Sequence, residues 1–146
     1  MLDQLYREII LDHYRRPRNR GELPDPDTKV RGNNPICGDE VTLYLKIGDD
    51  TITAARSVGN GCSISQASSS IMTQAIVGRS LEDALALVGA VEGMMRGGGV
   101  PEGPNLDDLA ALEGVGKFPA RVKCALLPWE TLKQSIHEYR ARSPRH

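Results

Sequence analysis

Three cysteines and one aspartate are the residues best suited to chemistry in this chain of 146 residues. Cys37 lies in NNPICGDE, two positions before Asp39, and side chains at that spacing face the same side of an extended chain. Pro35 stiffens the approach, and Gly38 allows the backbone to bend closely. A thiolate and a carboxylate placed in this way can reach one cation, although a plain turn with a buried cysteine fits the same residues.

The second cysteine, Cys62, follows a corner rich in glycine in GNGCSISQAS. We expect it at the N-terminus of a long helix, where free N–H groups and the positive end of the helix dipole attract an anionic sulfur. The alternative is that Gly59 and Gly61 only form the corner and that Cys62 packs in the core. This motif alone does not decide between the two.

The third cysteine, Cys124, lies in ARVKCALLPW, within or just before the last predicted helix. Lys123 and Arg121 are nearby cations that favour a thiolate. A cysteine in such an apolar run can equally face the core. Lys123 is therefore either an auxiliary group that assists Cys124 or guides a partner, or an exposed helix lysine.

Together these residues form a four-ligand set of three thiolates and one carboxylate: Cys37, Asp39, Cys62 and Cys124. Such a set suits Zn²⁺, or iron bridged by sulfide, whereas hard cations prefer sites made only of oxygen. The cysteines are 25 and 62 positions apart, and no CxxC pair is present. Their convergence around one metal ion is therefore a prediction about the fold.

The charge balance excludes several classes of partner. Lys and Arg number 18 against 19 Asp and Glu, so no global field attracts nucleic acid or an anionic membrane.

The N-terminus mixes charged and apolar residues unlike a signal peptide, and no apolar run approaches the ~20 residues of a membrane span. We expect a soluble cytoplasmic protein. A reducing cytosol disfavours disulfides, so three cysteines there indicate metal binding or thiol chemistry.

The chain pattern predicts one α+β domain over residues 1–146, a small antiparallel sheet packed with several helices. Apolar spacing predicts a helix over residues 1–15, ended by Pro17, and then a linker rich in Gly and Pro. VTLYLKI and TITAARSV predict a β-hairpin. Helices follow from Ser63 to about Val77 and, after a cap at Ser80, to Met94 or Met95.

The last third is predicted to contain a flexible insertion, short turns and a final helix. Residues 96–105 form the insertion, and a short helix covers about Leu106 to Leu112. Pro119 can open the final helix, while Pro128 should kink or restart it. We expect residues 141–146 to be a frayed tail.

NPICGD, GNGCSISQASSS and RVKCALLPW resemble the three cysteine motifs of the IscU/SufU/NifU-N family of iron–sulfur assembly proteins, in order and in context. The resemblance runs from about Leu2 to Tyr139 and implies a SufE/IscU-like fold with the site at one end. IscU-type members carry His where this chain has Lys123. The segment between the second and third cysteines is also longer here, with VGAVEGMMRGGGVPEGPNL as extra material, and both features resemble the SufU branch.

The resemblance to SufU implies zinc held by Cys37, Asp39, Cys62 and Cys124, with iron or a [2Fe–2S] cluster as the alternative. It also implies a sulfur acceptor or scaffold that receives persulfide sulfur from a cysteine desulfurase and serves apo iron–sulfur proteins or downstream carriers. Cys37 and Cys124 are the candidate sulfur acceptors. Such a chain is a scaffold rather than a stand-alone enzyme, or it performs a zinc-dependent sulfurtransferase half-reaction.

Two other readings compete with this one. A purely structural zinc module predicts a closed site whose metal maintains the fold. A cysteine hydrolase would need His13 or His137 to activate a thiol, but neither histidine has an Asp or Asn partner nearby in sequence.

Overall fold

A computed structural model describes residues 2–35 and 38–142 as a three-stranded sheet with five α-helices. Two short 3₁₀ turns, Asp107–Leu109 and Gly114–Lys117, flank the shortest helix. The strands are β1 (Thr28–Asn34), β2 (Asp39–Gly48) and β3 (Thr51–Asn60). The helices are α1 (Leu2–Arg15), α2 (Ser63–Ile76), α3 (Leu81–Met95), α4 (Ala110–Glu113) and α5 (Pro119–Arg142). The predicted α+β fold is confirmed.

The sheet is antiparallel in the order β1-β2-β3. Asp49 and Asp50 close the β2–β3 hairpin with positive φ angles of 55° and 61°, as a tight two-residue turn requires. At the other end of β2, Glu40 pairs with Asn60. This register brings the first residue of β2, Asp39, beside the corner that leads from β3 into α2.

The first strand was missed by the sequence reasoning, which treated this segment as a linker. Thr28 and Val30 are buried while Lys29 and Arg31 are exposed, so the alternation of a half-buried strand was present. Gly32 obscured this pattern because glycine weakens a strand. The structure gives that glycine a packing role, since a Cβ there would collide with the Thr131 hydroxyl of α5.

The helices cover one side of the sheet in two layers. Helix α5 packs on β1 and β2, and α2 packs on β3 and on α5. Helix α1 lies against α2, and α3 lies against α5. The core between them consists of buried apolar side chains that include Leu43, Leu45, Ile52, Ile71, Met72, Ile76, Trp129, Leu132 and Ile136.

The predicted helices occur close to their expected bounds. The Ser80 hydroxyl caps α3 by accepting a hydrogen bond from the N–H of Asp83. Helix α5 opens at Pro119 and continues without interruption through Pro128, so the expected restart does not occur. Burial of the residues around Pro128 against the sheet and α2 compensates for the hydrogen bond that proline cannot make.

The insertion and the tail complete the described chain. Residues 97–106 contain no helix or strand, and their predicted flexibility stays a prediction. Helix α5 extends into the predicted tail as far as Arg142, and residues 143–146 lie outside the described residues. Among the helices of the described chain, none is long and apolar enough to span a membrane.

Candidate metal centre

Three of the four predicted ligands meet at one end of the sheet. Ligand atoms of Asp39, Cys62 and Cys124 all lie within 4.8 Å of one another. Donor atoms at such distances can surround one ion, because Zn–S and Zn–O bonds are about 2.0–2.3 Å long. The fold therefore brings together side chains that are up to 85 positions apart in the chain.

Each ligand lies at the start of a different element. Asp39 is the first residue of β2, and Cys62 is the N-cap residue of α2 with φ −70° and ψ 167°. Cys124 lies in the second turn of α5. The prediction that Cys62 lies at a helix N-terminus is confirmed.

Hydrogen bonds hold the carboxylate of Asp39 against the end of α2. Its Oδ1 accepts a hydrogen bond of 2.8 Å from the backbone N–H of Cys62, and its Oδ2 is 3.8 Å from the Cys62 sulfur. The Ser65 hydroxyl donates to the carbonyl of Cys62 at 3.1 Å. Asp39 thus satisfies the N–H of the N-cap residue, whose own side chain makes no capping hydrogen bond.

The site is buried on one side and accessible on the other. Asp39 and Cys124 are each 1% exposed, whereas Cys62 is half-buried. An approaching molecule therefore meets the Cys62 side of the described cluster first.

Gly61 is part of this site, which sequence reasoning did not recognise. Its φ of +149° disfavours other residues, and a Cβ there would collide with the Asp39 carboxylate. A Cβ on Gly59 would collide with the backbone of Glu40 in β2. Gly61 forms the corner, whereas Gly59 lies within β3 opposite Val41, and both allow β2 and Asp39 to approach this corner closely. The signal was available in the sequence as the GNG triplet before the cysteine.

The fourth predicted ligand, Cys37, lies outside the described residues. In the sequence it lies between β1 and β2, two positions before Asp39. The N–H of Gly38 donates to the carbonyl of Asn34 at 2.9 Å, and Gly38 has a φ of +73°. Pro35 and Gly38 are both exposed.

The remaining candidates lie elsewhere. Lys123 and Arg121 are exposed on α5, and His137 is exposed further along the same helix. His13 is completely buried, with Nδ1 2.7 Å from the Ser70 hydroxyl and Nε2 2.6 Å from the Asp108 carboxylate. Its acidic partner is distant in sequence but close in space, and both ring nitrogens contact groups other than a cysteine.

The chain matches the family model described as the NifU-like N terminal domain over residues 5–146. It is 47% identical over 135 residues to the zinc-dependent sulfurtransferase SufU of Bacillus subtilis, covering 92% of this chain and 91% of that protein. This chain belongs to the NifU-like N-terminal domain family. The resemblance to the IscU/SufU/NifU-N family is confirmed.

Other members of the family agree in sequence and in structure. The iron–sulfur cluster assembly scaffold protein IscU of Streptococcus pyogenes is 44% identical over 135 residues, covering 92% of this chain and 84% of that protein. A crystal structure of the N-terminal part of a NifU-like protein from Brucella abortus superposes with a TM-score of 0.88 at 28% identity. That match covers 97% of this chain and 98% of the other.

The donor chemistry of this NifU-like domain fits a borderline-soft metal ion. Two sulfur atoms and a carboxylate oxygen are the donors that Zn²⁺ takes in proteins, and sulfur ligands also hold iron–sulfur clusters. A hard ion such as Mg²⁺ is disfavoured because it prefers oxygen ligands. Cys37 is the adjacent residue of a type that can supply a further donor.

An apolar groove lies beside the candidate metal centre formed by Asp39, Cys62 and Cys124. It has a volume of about 380 Å³ and lies between α1, the start of α2 and the 3₁₀ turn before α5. Ile10, Ile64 and Phe118 line it, and Phe118 is 62% exposed. Among the described residues that line it, the charged ones are Arg7 and Lys117, both cations.

Proposed function

We propose that this protein is a metal-binding sulfur acceptor and scaffold in iron–sulfur cluster assembly. It receives persulfide sulfur from a cysteine desulfurase and supports the supply of clusters to apo iron–sulfur proteins or downstream carriers. The observation that supports this most is the gathering of ligand atoms of Asp39, Cys62 and Cys124 within 4.8 Å. Relatives of the same family carry the names zinc-dependent sulfurtransferase and cluster assembly scaffold.

The resident metal in this proposal is Zn²⁺, held by Cys37, Asp39, Cys62 and Cys124. Zinc, when bound, keeps cysteines in the thiolate form and brings no redox chemistry of its own. In the scaffold role, iron or a [2Fe–2S] cluster is cargo carried on the same sulfur ligands. The family names support zinc for the sulfurtransferase role and iron–sulfur cargo for the scaffold role.

Cys37 is the proposed sulfur acceptor. Burial disfavours Cys124 as the acceptor, since it is 1% exposed. Cys62 is half-buried, but the hydrogen bond from its N–H to Asp39 holds it at the N-terminus of α2. Cys37 belongs to a loop whose described neighbours, Pro35 and Gly38, are exposed.

The transfer step is thiol exchange. The Cys37 thiolate attacks the outer sulfur of the persulfide on the desulfurase, a new S–S bond forms on Cys37, and the desulfurase cysteine leaves as a thiolate. The number of electrons is conserved, so the step needs no oxidant or reductant.

The groove beside the centre supports docking of the desulfurase at this end of the domain. Its apolar lining favours an apolar side chain of the partner, and Arg7 and Lys117 favour acidic neighbours around it. Ser63 and Ile64 line the groove directly after Cys62 in the chain. A partner seated there lies next to the metal centre, and the exposed Lys123 is available to guide its approach.

The decisive experiment locates the transferred sulfur. The zinc-loaded protein is incubated with a cysteine desulfurase and cysteine, its thiols are alkylated, and its peptides are weighed by mass spectrometry. We expect one added sulfur on the peptide that contains Cys37, and no added sulfur on that peptide in Cys37→Ala. Sulfur found only on Cys124, or on no cysteine, would contradict the proposal.

Metal removal distinguishes a purely structural zinc module from this proposal. A structural zinc site stabilises the fold outright. If this protein were a purely structural zinc module, a chelator should unfold the domain, and no cysteine should accept sulfur. The apolar core between sheet and helices is extensive without the metal ligands. We therefore expect the protein stripped of zinc to stay folded by circular dichroism.

A further inference from the structure

A buried hydroxyl connects the two helices that carry Cys62 and Cys124. The Ser68 hydroxyl of α2 donates a hydrogen bond of 2.6 Å to the carbonyl of Ala125 in α5. The same oxygen accepts a hydrogen bond of 3.0 Å from Nε1 of Trp129. All three residues are 0% exposed, so water does not compete for these bonds.

Both ends of this connection are close to a ligand. Ala125 directly follows Cys124 in α5. Ser68 is six residues after Cys62, about 9 Å along the axis of α2 at a rise of about 1.5 Å per residue. A shift of α5 along α2 would therefore break the Ser68 bond and change the distance between the two sulfur atoms.

Pro128 explains why this turn of α5 benefits from a bond to another helix. Proline has no N–H, so position 128 cannot donate the usual helical hydrogen bond to the carbonyl four residues earlier, that of Cys124. Proline inside a helix ordinarily bends it. The hydroxyl of Ser68 binds the next carbonyl in the same turn, that of Ala125.

The geometry points to Ser68, together with Trp129, as a positioning residue for the metal centre. It sets the separation of α2 and α5 and with it the distance between the sulfur atoms of Cys62 and Cys124. In a tetrahedral zinc site with bonds of about 2.3 Å, two sulfur ligands are about 3.8 Å apart, so a small movement of one helix weakens metal binding. This inference rests on the proposed metal site and assigns it a residue that touches no metal.

Ser135 provides a matched control. It is also 0% exposed and lies in α5, and its hydroxyl donates to the carbonyl of Thr131 at 2.8 Å. That bond stays within one helix, eleven residues from Cys124. Ser68→Ala and Ser135→Ala each remove one buried bond between a hydroxyl and a carbonyl. Ser68→Ala also removes the acceptor of Trp129 Nε1, and only its bonds join the two ligand-bearing helices.

The test measures metal binding rather than sulfur transfer. Zinc affinity is determined by competition with a chromophoric chelator, and the visible spectrum of the Co²⁺-substituted protein reports ligand geometry. We expect Ser68→Ala to weaken zinc binding about tenfold, the lower end of the cost of losing a partner bonded directly to a ligand, because Ser68 acts through the backbone next to Cys124. The Co²⁺ bands should change as well. Ser135→Ala should bind zinc within about twofold of the wild type, since it leaves the spacing of the two helices unchanged.

A second variant keeps the test decisive if Ser68→Ala does not fold. Trp129→Phe removes the donor to Ser68 and leaves the Ser68 bond to Ala125 in place, so it should weaken zinc binding by less than tenfold but more than Ser135→Ala. The positioning role of Ser68 would be overturned if Ser68→Ala and Ser135→Ala had equal zinc affinities and Co²⁺ spectra. If Ser68→Ala does not fold, the same result for Trp129→Phe and Ser135→Ala would overturn it. Failure of the wild type to bind zinc would overturn the proposed metal centre itself.

Discussion

Two polar clusters contact helix α2, and they differ in the atoms that they bring together. Near the second half of the helix, His13 has ring nitrogens 2.7 Å and 2.6 Å from Ser70 and Asp108, and the Ser70 hydroxyl also accepts from the N–H of Arg18. At the N-terminus, the Cys62 sulfur is 3.8 Å from the Asp39 carboxylate. The first cluster is closed by short hydrogen bonds, whereas the second has sulfur donors at the spacing of metal ligands.

The closed cluster also contains residue types that occur in catalytic sites. Ser70, His13 and Asp108 are the residue types of a hydrolytic triad, but the ring nitrogens are exchanged, since Nδ1 contacts the serine and Nε2 the aspartate. Ser70 is 1% exposed, however, so no substrate reaches its hydroxyl. The half-buried Cys62 and the close spacing of ligand atoms in Asp39, Cys62 and Cys124 distinguish the candidate functional site from the closed cluster.

The largest expected effect comes from removing the Asp39 carboxylate. Asp39→Ala should weaken zinc binding at least about a hundredfold, the upper end of what loss of an outer-shell partner costs, because Asp39 is proposed as a direct ligand. It also removes the acceptor for the N–H of Cys62, so the melting temperature should fall. Chelator competition and thermal unfolding measure the two effects.

Two controls separate the effects of Asp39→Ala. Asp39→Asn keeps an oxygen that accepts the N–H of Cys62 but loses the negative charge, so it should recover stability better than metal affinity. Asp27→Ala removes another carboxylate that accepts a backbone N–H, from Ile47 at 2.7 Å, and should not affect zinc. Zinc binding in Asp39→Ala that equals the binding in Asp27→Ala would contradict a ligand role.

The next largest effect is expected for the closed cluster. His13→Ala leaves Ser70 and Asp108 without their shared partner and creates a cavity, so the free energy of unfolding should fall by about 2–4 kcal/mol. Urea titration measures it. The folded fraction of the variant should bind zinc with the affinity of the wild type, and a specific loss of zinc would show that the two clusters are not independent.

The smallest effect is expected for an exposed pair near the closed cluster. Hydrogen bonding to Arg18 lowers the pKa of Asp12 below its ordinary value of 3.8, with Arg16 contributing. The ion pair therefore stabilises the fold fully at pH values above the ordinary pKa of Asp12. This contribution is lost as the pH falls through the lowered pKa. Asp12→Asn should lower the melting temperature slightly at pH 7 and converge with the wild type in acid. If Asp12→Asn lost as much stability as His13→Ala, burial would not explain why the closed cluster stabilises the fold more than the exposed pair does.

Local pattern was sufficient for most elements of the fold but not for all of them. The apolar spacing of α2 and the Ser80 cap predicted two helices because helical signals lie within a few residues of one another. Strand β1 was missed because its pairing with β2 and the contact of Gly32 with α5 are long-range features. The continuity of α5 through Pro128 likewise depends on neighbours distant in sequence.

The candidate site was predictable in composition but not in its supporting contacts. Asp39, Cys62 and Cys124 could be chosen by ligand chemistry, and the structure gathers them. The bonds from Ser68 to α5 and from His13 to Asp108 connect residues 57 and 95 positions apart. No local pattern marks such a pair, because serine and histidine occur on many helix faces for unrelated reasons.

The two oxygens of Asp39 have different tasks, and this division affects how the proposed centre could exchange a ligand. Oδ1 stays attached to the start of α2 through the amide of Cys62, while Oδ2 faces the sulfur. If Oδ2 binds the ion, the bond from Oδ1 to the amide of Cys62 would keep it close to the ion when it dissociates, at a very high effective concentration. Vacating a coordination position for an incoming sulfur atom and reoccupying it afterwards would then require only a small rotation of one side chain.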